Sequence, residues 1–432
     1  MNPNCLRIVH LNTYDVTGGA ALATYRLHKG LCQLGHESSM LVAYRKSDDP
    51  TVIALTPRRD LTSRLRWRLR EKQINRSFSR YSSTRPAGYE LFSDDRSAYR
   101  DIVLRQLPSC DIVNLHWIAG LVDYQSFFSA IPRSVPIFWR LSDMSALTGG
   151  CHFDHGCGKH ETGCGACPQI GSSDAYDLSH QIWQRKWSVF NNLEPERLHI
   201  IALNRWMADM VSRSPLLQKF PVTVVPNGVD TDVFAPRDPR SARDVLGIPQ
   251  DARVILFAAD SISNRRKGFA LLDIALRGLR NFKNLFLISV GRGTPQVDTD
   301  IPYLNLGHVD NGRLLSLIYS AADLYAIPSL QDNQPNTVLE AMACGTPVVG
   351  FDAGGIPDMV RPGITGLLAP VEDVTSLCRA ITDLLKCSDT RVAMGAACRR
   401  IVMKEYRREM QTRRYIELYE RSLPQTSSAC RR

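Results

Sequence analysis

The feature that most constrains this 432-residue chain is an alternation, found in both halves, of short apolar runs with longer stretches of helical period. Residues 7–12 read as a buried strand leading into a loop with Gly18 and Gly19. Leu22, Tyr25, Leu27, Leu31 and Leu34 then follow a helical spacing, Gly35 ends it, and residues 38–43 read as a second strand. A strand, a glycine loop, a helix and another strand favour a parallel sheet. Residues 111–116, 135–140 and 199–203 read as further strands, and 178–190 as a helix. After a turn-rich crossing at 221–230 the alternation restarts. Strands are predicted over 253–259, 285–290, 324–327 and 347–351, and helices over 269–279, 314–321, 337–343, 374–385 and 391–421. The expected class is therefore α/β, two Rossmann-like doubly wound domains facing across a cleft at the carboxyl ends of both sheets.

Length and composition agree. At roughly 150 residues per domain the chain has room for two or three. With 44% hydrophobic and 22% charged residues it is neither disordered nor fibrous. The net charge of +10 points to anionic partners, but it is localised. Residues 57–85 hold ten basic and two acidic residues, and 399–432 hold ten and four, so the remaining scaffold is slightly acidic. The stretch 57–85, with Leu61, Leu65, Trp67 and Leu69 among its arginines, is suited to an anionic membrane surface or is a solvated helix. It lacks the interleaved aromatic platform of a nucleic-acid site. The N-terminus enters strand-like sequence directly, and no apolar run could span a bilayer. The expected location is cytoplasmic, at most peripheral at the inner face of a membrane.

Two segments could carry chemistry. In 328–360, Asp332 and Glu340 are separated by seven residues, and Asn333 or Gln334 could cap a predicted helix with Pro335 in its first turn, followed by Asn336 and Thr337. A helix N-terminus is a natural seat for a phosphate. Carboxylates beside it accept hydrogen bonds from sugar hydroxyls. The reading is a nucleotide-sugar site; the alternative is a capping aspartate and a surface glutamate. The other segment is a glycine-rich loop holding Cys151, Cys157, Cys164 and Cys167. Cys164-x2-Cys167 is a chelating spacing for zinc or iron–sulfur, with His152, His155 and His160 as alternative ligands. Two disulfides or free thiols are the other readings. Asp230–Asp232 and Asp298–Asp300 read as turn residues rather than as metal-holding triplets.

Asp332-x7-Glu340, followed by Ala-Met-Ala-Cys-Gly-Thr-Pro-Val-Val, resembles the E-x7-E signature of retaining glycosyltransferases of family 4, which have the GT-B fold. The resemblance implies that Glu340 holds the donor ribose and that Asp332, standing where a glutamate is usual, contacts the donor sugar. Gly18 and Gly19 resemble the family's N-terminal glycine loop near the transferring centre. His116, ending the strand Asp-Ile-Val-Asn-Leu-His, is similar to the histidine that reaches the sugar. Pro226 to Asp230 with Phe234 resembles the interdomain segment, and His308 in Leu-Gly-His-Val resembles a strand end beside the donor base.

Lys267 before Gly268 matches a diphosphate-binding lysine. Many members carry an Arg six residues before it; here Ser261 has that place, leaving Arg266 or Arg265 to supply the second cation. The resemblance thus places His116, Lys267, Asp332 and Glu340 at the reacting centre. It places Gly18, Gly19, Arg266, Lys267, His308, Asn336, Thr337 and Glu340 around the donor. Members from bacterial polysaccharide pathways have a similar four-cysteine insert after an Asp-Met pair, here Asp143 and Met144.

The implied activity is transfer of a sugar from a nucleotide-diphosphate sugar to a hydroxyl with retention, in cell-surface polysaccharide synthesis, with no catalytic cofactor and with structural zinc. The implied partners are the nucleotide sugar and a saccharide or lipid-linked acceptor, without nucleic acid. The expected domains are 1–215, with an insert at 149–170; 216–400, holding the donor; and 401–432, a helix crossing back to the first domain and a tail. Rival readings are a nucleotide-sugar epimerase or phosphorylase of the same fold, and a zinc-stabilised, non-catalytic binding protein on this scaffold. A nicotinamide dehydrogenase is disfavoured, because the first loop reads Thr-Gly-Gly-Ala-Ala rather than Gly-x-Gly-x-x-Gly.

Overall fold

A computed structural model describes residues 5–57, 60–280, 282–294, 297 and 300–423; Asp298 of the second Asp-x-Asp triplet lies outside them. The first half builds a seven-stranded sheet from β1 (Arg7–Tyr14), β2 (Glu37–Tyr44), β3 (Val52–Ala54), β4 (Ile112–Leu115), β5 (Ile137–Arg140), β6 (Leu198–Ala202) and β7 (Val222–Val224). The second half builds a six-stranded sheet from β8 (Arg253–Ser261), β9 (Leu285–Arg292), β10 (Tyr303–Asn305), β11 (Leu324–Ile327), β12 (Val348–Phe351) and β13 (Gly366–Ala369). The strand orders are β3-β2-β1-β4-β5-β6-β7 and β10-β9-β8-β11-β12-β13. Every pairing is parallel.

Parallel sheets carry helices on both faces, so their strands are apolar throughout. In β1 six consecutive residues are buried, and β4, β5, β11 and β12 are buried at every position. The helices are α1 (Gly19–Gln33), α2 (Leu61–Ser79), α3 (Arg100–Gln106), α4 (Tyr124–Ala130), α5 (Leu178–Asn191), α6 (Arg205–Arg213) and α7 (Pro239–Leu246). They continue with α8 (Phe269–Arg277), α9 (Gly312–Ala321), α10 (Asn336–Ala343), α11 (Val374–Lys386), α12 (Ser388–Glu405) and α13 (Arg408–Ser422). In each sheet the strand order reverses about one pair, β1/β4 and β8/β11. Doubly wound folds bind ligands at that crevice, beyond the carboxyl ends of the strands.

The helix predicted over 391–421 is broken. The backbone of the interdomain segment takes its hydrogen bonds: the Val229 N–H donates to the Tyr406 carbonyl at 2.8 Å, and the Arg408 N–H to the Val229 carbonyl at 3.1 Å. The approach needs glycine, because a Cβ on Gly228 would lie 2.6 Å from the Arg408 Cα. Beyond the break, α13 packs on α1 in the first domain. Its Tyr415 and Tyr419 share a core with Leu27, Leu31 and Phe138, and the Asn114 amide donates to the Tyr419 hydroxyl at 2.6 Å.

Candidate active site

The two switch points face each other, and the glycine loop meets the N-terminus of α10 there. Gly18, at φ 88°, caps α1, and the Asn336 side-chain amide donates to the Gly19 carbonyl at 2.9 Å. Asn336 opens α10 behind Pro335, with no side-chain cap. The first N–H groups of α10 therefore lack a side-chain acceptor, and the positive dipole end is available to an anion. Thr337 sits in the first turn, accepting from the Tyr325 hydroxyl at 2.8 Å.

Asp332 is buried on the loop between β11 and α10. The Lys267 ammonium lies 2.6 Å from its carboxylate and the Arg266 guanidinium 3.3 Å. Burial alone would raise the Asp332 pKa, but the two cations outweigh it and hold the carboxyl below the usual range. Lys267 and Arg266 occupy a tight turn closed by Gly268 at φ 73°, where a Cβ would strike the Pro328 carbonyl. Arg265 is exposed, whereas Arg266 is buried and makes the contacts to Asp332. The Arg266 Nε pairs with Glu90, its Nη1 donates to the Gln331 carbonyl at 2.6 Å, and its guanidinium lies 3.9 Å from the Phe153 ring centroid.

Glu340, one turn into α10, has partners on both oxygens. Arg26 of α1 reaches one at 2.6 Å, and the Tyr319 hydroxyl reaches the other at 3.3 Å. The Arg26 guanidinium also lies over the Phe234 ring. Domain-crossing contacts surround this centre. The Asn204 amide donates to the Asn333 carbonyl at 2.8 Å, the Asn227 N–H to Gln334 at 2.6 Å, and the Gln331 amide to Asp154 at 2.8 Å.

His116 is buried beneath the cleft and bonded to His10 at 2.8 Å. Burial first pushes both imidazoles well below their ordinary pKa, with Arg140 and His10 adding to it at His116 and His28 and Arg140 at His10, so both are neutral. His308 sits beyond the edge strand β10, half exposed and bonded to Asp310 at 2.7 Å. No contact joins it to Lys267, Asp332 or Glu340 among the described residues. Asp230 acts as a turn residue, accepting from the N–H groups of Asp232 and Val233 and pairing with Arg408 at 2.8 Å.

Cys151, Cys157, Cys164 and Cys167 all line one small cavity of about 20 Å³, with Asp154 and His160. All four are free thiols. Among the described residues no group of three His, Cys, Asp or Glu is arranged to hold a metal ion. The expected zinc ligands therefore converge without forming a finished ligand sphere. The same loop contributes Phe153 and Asp154 to the cleft, so the insert reaches the donor side as well as the first domain. Sequence reasoning missed Arg26, Glu90, Phe153, Gln331 and Asn204. None has a motif; Arg26 alone carried a signal, two helical turns beyond Gly19 on α1.

Residues 252–387 match the family described as Glycosyl transferases group 1. D-inositol 3-phosphate glycosyltransferases of Mycobacterium tuberculosis and Mycobacterium bovis are 35% identical over 182 residues. That match spans 38% of this chain and 36% of theirs, so the chain covers about a third of the length of these curated relatives. Among solved structures, sucrose-phosphate synthase from Thermosynechococcus elongatus superposes with a TM-score of 0.67 at 17% identity, covering 96% of this chain and 98% of that one. HepE of Anabaena, in complex with UDP and glucose, superposes with a TM-score of 0.65 at 16% identity, covering 96% and 99%. The two-domain architecture is the GT-B fold, and the second domain carries the group 1 glycosyltransferase pattern.

Proposed function

We propose that this chain is a glycosyltransferase that moves a sugar from a nucleotide-diphosphate donor to a hydroxyl acceptor, with retention. The carrying observation is the convergence of Lys267, Arg266, Asp332 and Glu340 around the N-terminus of α10, opposite the glycine loop. Lys267 and Arg266, with the free N–H groups of α10, meet the diphosphate and stabilise it as it departs. Glu340 accepts from the ribose hydroxyls and Asp332 from those of the sugar. His116, neutral and buried, stands below the sugar site with His10. It orients the wall beneath the anomeric carbon rather than exchanging protons. The acceptor hydroxyl attacks on the face the diphosphate leaves, and the departing phosphate oxygen takes its proton. Rossmann-like domains of this kind leave the acceptor to the first sheet, and a saccharide or lipid-linked saccharide of cell-surface polysaccharide synthesis suits the cleft there.

Zinc is proposed as a structural ion held by Cys151, Cys157, Cys164 and Cys167. What supports this is the donor chemistry: four thiols, the ligands zinc prefers, border one cavity of about 20 Å³. When bound, the ion would staple the loop and take no part in transfer.

The test is a panel of uridine, guanosine and adenosine diphosphate sugars, with and without acceptor. Nucleoside diphosphate should be released only when an acceptor is present; a free epimer formed without acceptor overturns transfer in favour of epimerisation. Glu340→Ala should weaken donor binding roughly ten- to a hundredfold, the worth of charge-assisted hydrogen bonds of ~1.5–3 kcal/mol. Unchanged donor turnover in that variant would favour a binding protein on a transferase scaffold.

A further inference from the structure

α2 lies on the outside of the first domain and buries none of its 19 residues. It is tied down by Trp67, edge-on to Tyr99, and by Arg70, 2.7 Å from Asp123. Between α2 and α3 lies a cavity of about 460 Å³. Arg64, Arg66, Arg68 and Arg70 line it from α2, and Arg100 and Arg105 from α3. Asp101 is the carboxylate in that wall, 3.9 Å from Arg100. Among the described residues no carboxylate pairs with Arg64, Arg66, Arg68 or Arg105.

A second observation is independent of charge. The Trp67 indole N–H is buried in the same wall, and among the described residues nothing accepts from it. A buried donor without an acceptor is costly, and guanidinium groups gathered around one space repel one another. Both costs are relieved by an anion rich in acceptor oxygens, and the guanidinium fork fits a phosphate.

The outer face of α2, bordering Arg64 and Arg68, identifies the source of that phosphate. Leu61, Leu65 and Leu69 stand at i, i+4 and i+8 along α2, one stripe of a helix. They are 82%, 59% and 58% exposed. A soluble phosphate would leave this stripe in water. A nucleic acid would want exposed aromatic faces for stacking, whereas Trp67 is turned inward against Tyr99. An anionic bilayer answers both features, apolar stripe and cationic cavity.

We propose that the arginine cavity between α2 and α3 seats the phosphate headgroup of an anionic lipid, with the leucine stripe of α2 lying in the bilayer surface. The site is apart from the donor cleft and does not depend on the transfer reading.

Flotation of the full chain with vesicles tests this. Vesicles of phosphatidylcholine and phosphatidylglycerol in equal parts should carry the protein, and pure phosphatidylcholine should not. Raising the salt should release it. Arg64→Glu, Arg68→Glu and Arg105→Glu should each weaken binding by roughly fivefold or more, since a cation near such a surface contributes about that factor. Arg64→Lys and Arg68→Lys should keep most of it. Substituting Leu61, Leu65 and Leu69 by Ser should weaken vesicle binding while the melting temperature holds, because these three side chains are exposed. Equal binding to both vesicle types overturns the proposal. So does binding of inorganic phosphate or of an oligonucleotide that the arginine variants abolish, without flotation; those results would assign a soluble-phosphate or a nucleic-acid site instead.

Discussion

The Glu340 carboxylate carries two partners in this structure, and one of them stands where a ribose hydroxyl is proposed to donate. Arg26 and Glu340 are 15% and 7% exposed, so their attraction is little screened, and a donor nucleoside has to displace the guanidinium. Replacing Arg26 with Gln should therefore act in opposite directions on two measurements. The protein without donor should melt at a lower temperature, because Glu340 is left buried with Tyr319 alone. Nucleoside diphosphate should bind tighter by calorimetry, since the competing guanidinium is gone; weaker binding would make Arg26 a ligand of the donor instead. Asp332 and Glu340 stood out in sequence by their spacing around one loop and one helix, and Lys267 only through the family resemblance; the structure brings Lys267 to Asp332. Arg26 was not legible, since it meets a residue 314 positions away. Arg265 and Arg266 could not be told apart in sequence, because the difference is burial, and Phe153 and Glu90 create that burial from the other domain.

At the scale of elements, the long strands and helices were readable from period alone. β3, β7 and β10, of three residues each, are too short to show one. The break between α12 and α13 was invisible for another reason: the helical period continues through it, and what ends α12 is the backbone of Val229. α13 then settles so closely on α1 that a Cβ on Gly30 would lie 2.3 Å from the buried Thr412 Oγ1. Gly30→Ala should accordingly destabilise the protein by ~1–3 kcal/mol in denaturant unfolding, through overpacking, despite the better helix propensity of alanine. Thr412→Ala in the same chain should recover most of that loss, a coupling expected of side chains in direct contact. Stabilisation by Gly30→Ala alone would mean that α13 does not dock there.

For the whole molecule, the cysteine loop joins what two separate sheets cannot. Phe153 lies against Arg266 and Asp154 holds Gln331, so the proposed zinc staple would support a diphosphate-binding side chain from across the cleft. Elemental analysis of purified protein should give about one zinc per chain, the stoichiometry of a single four-thiolate site. Chelation should lower the melting temperature and weaken donor binding together. Protein with neither zinc nor iron, or donor affinity untouched by chelation, would separate the loop from the site. The sequence by itself determined the alternation that makes two parallel sheets and the motif that carries Asp332 and Glu340 on one loop and one helix. These depend on local period and short spacing, which a chain carries along its length. The tertiary structure alone decided which charges meet: Arg26 with Glu340, Glu90 with Arg266, and the arginines of α2 with those of α3. The physical reason is that Coulomb and hydrogen-bond energies depend on distance in space and on the exclusion of water, and neither is set until the chain has folded.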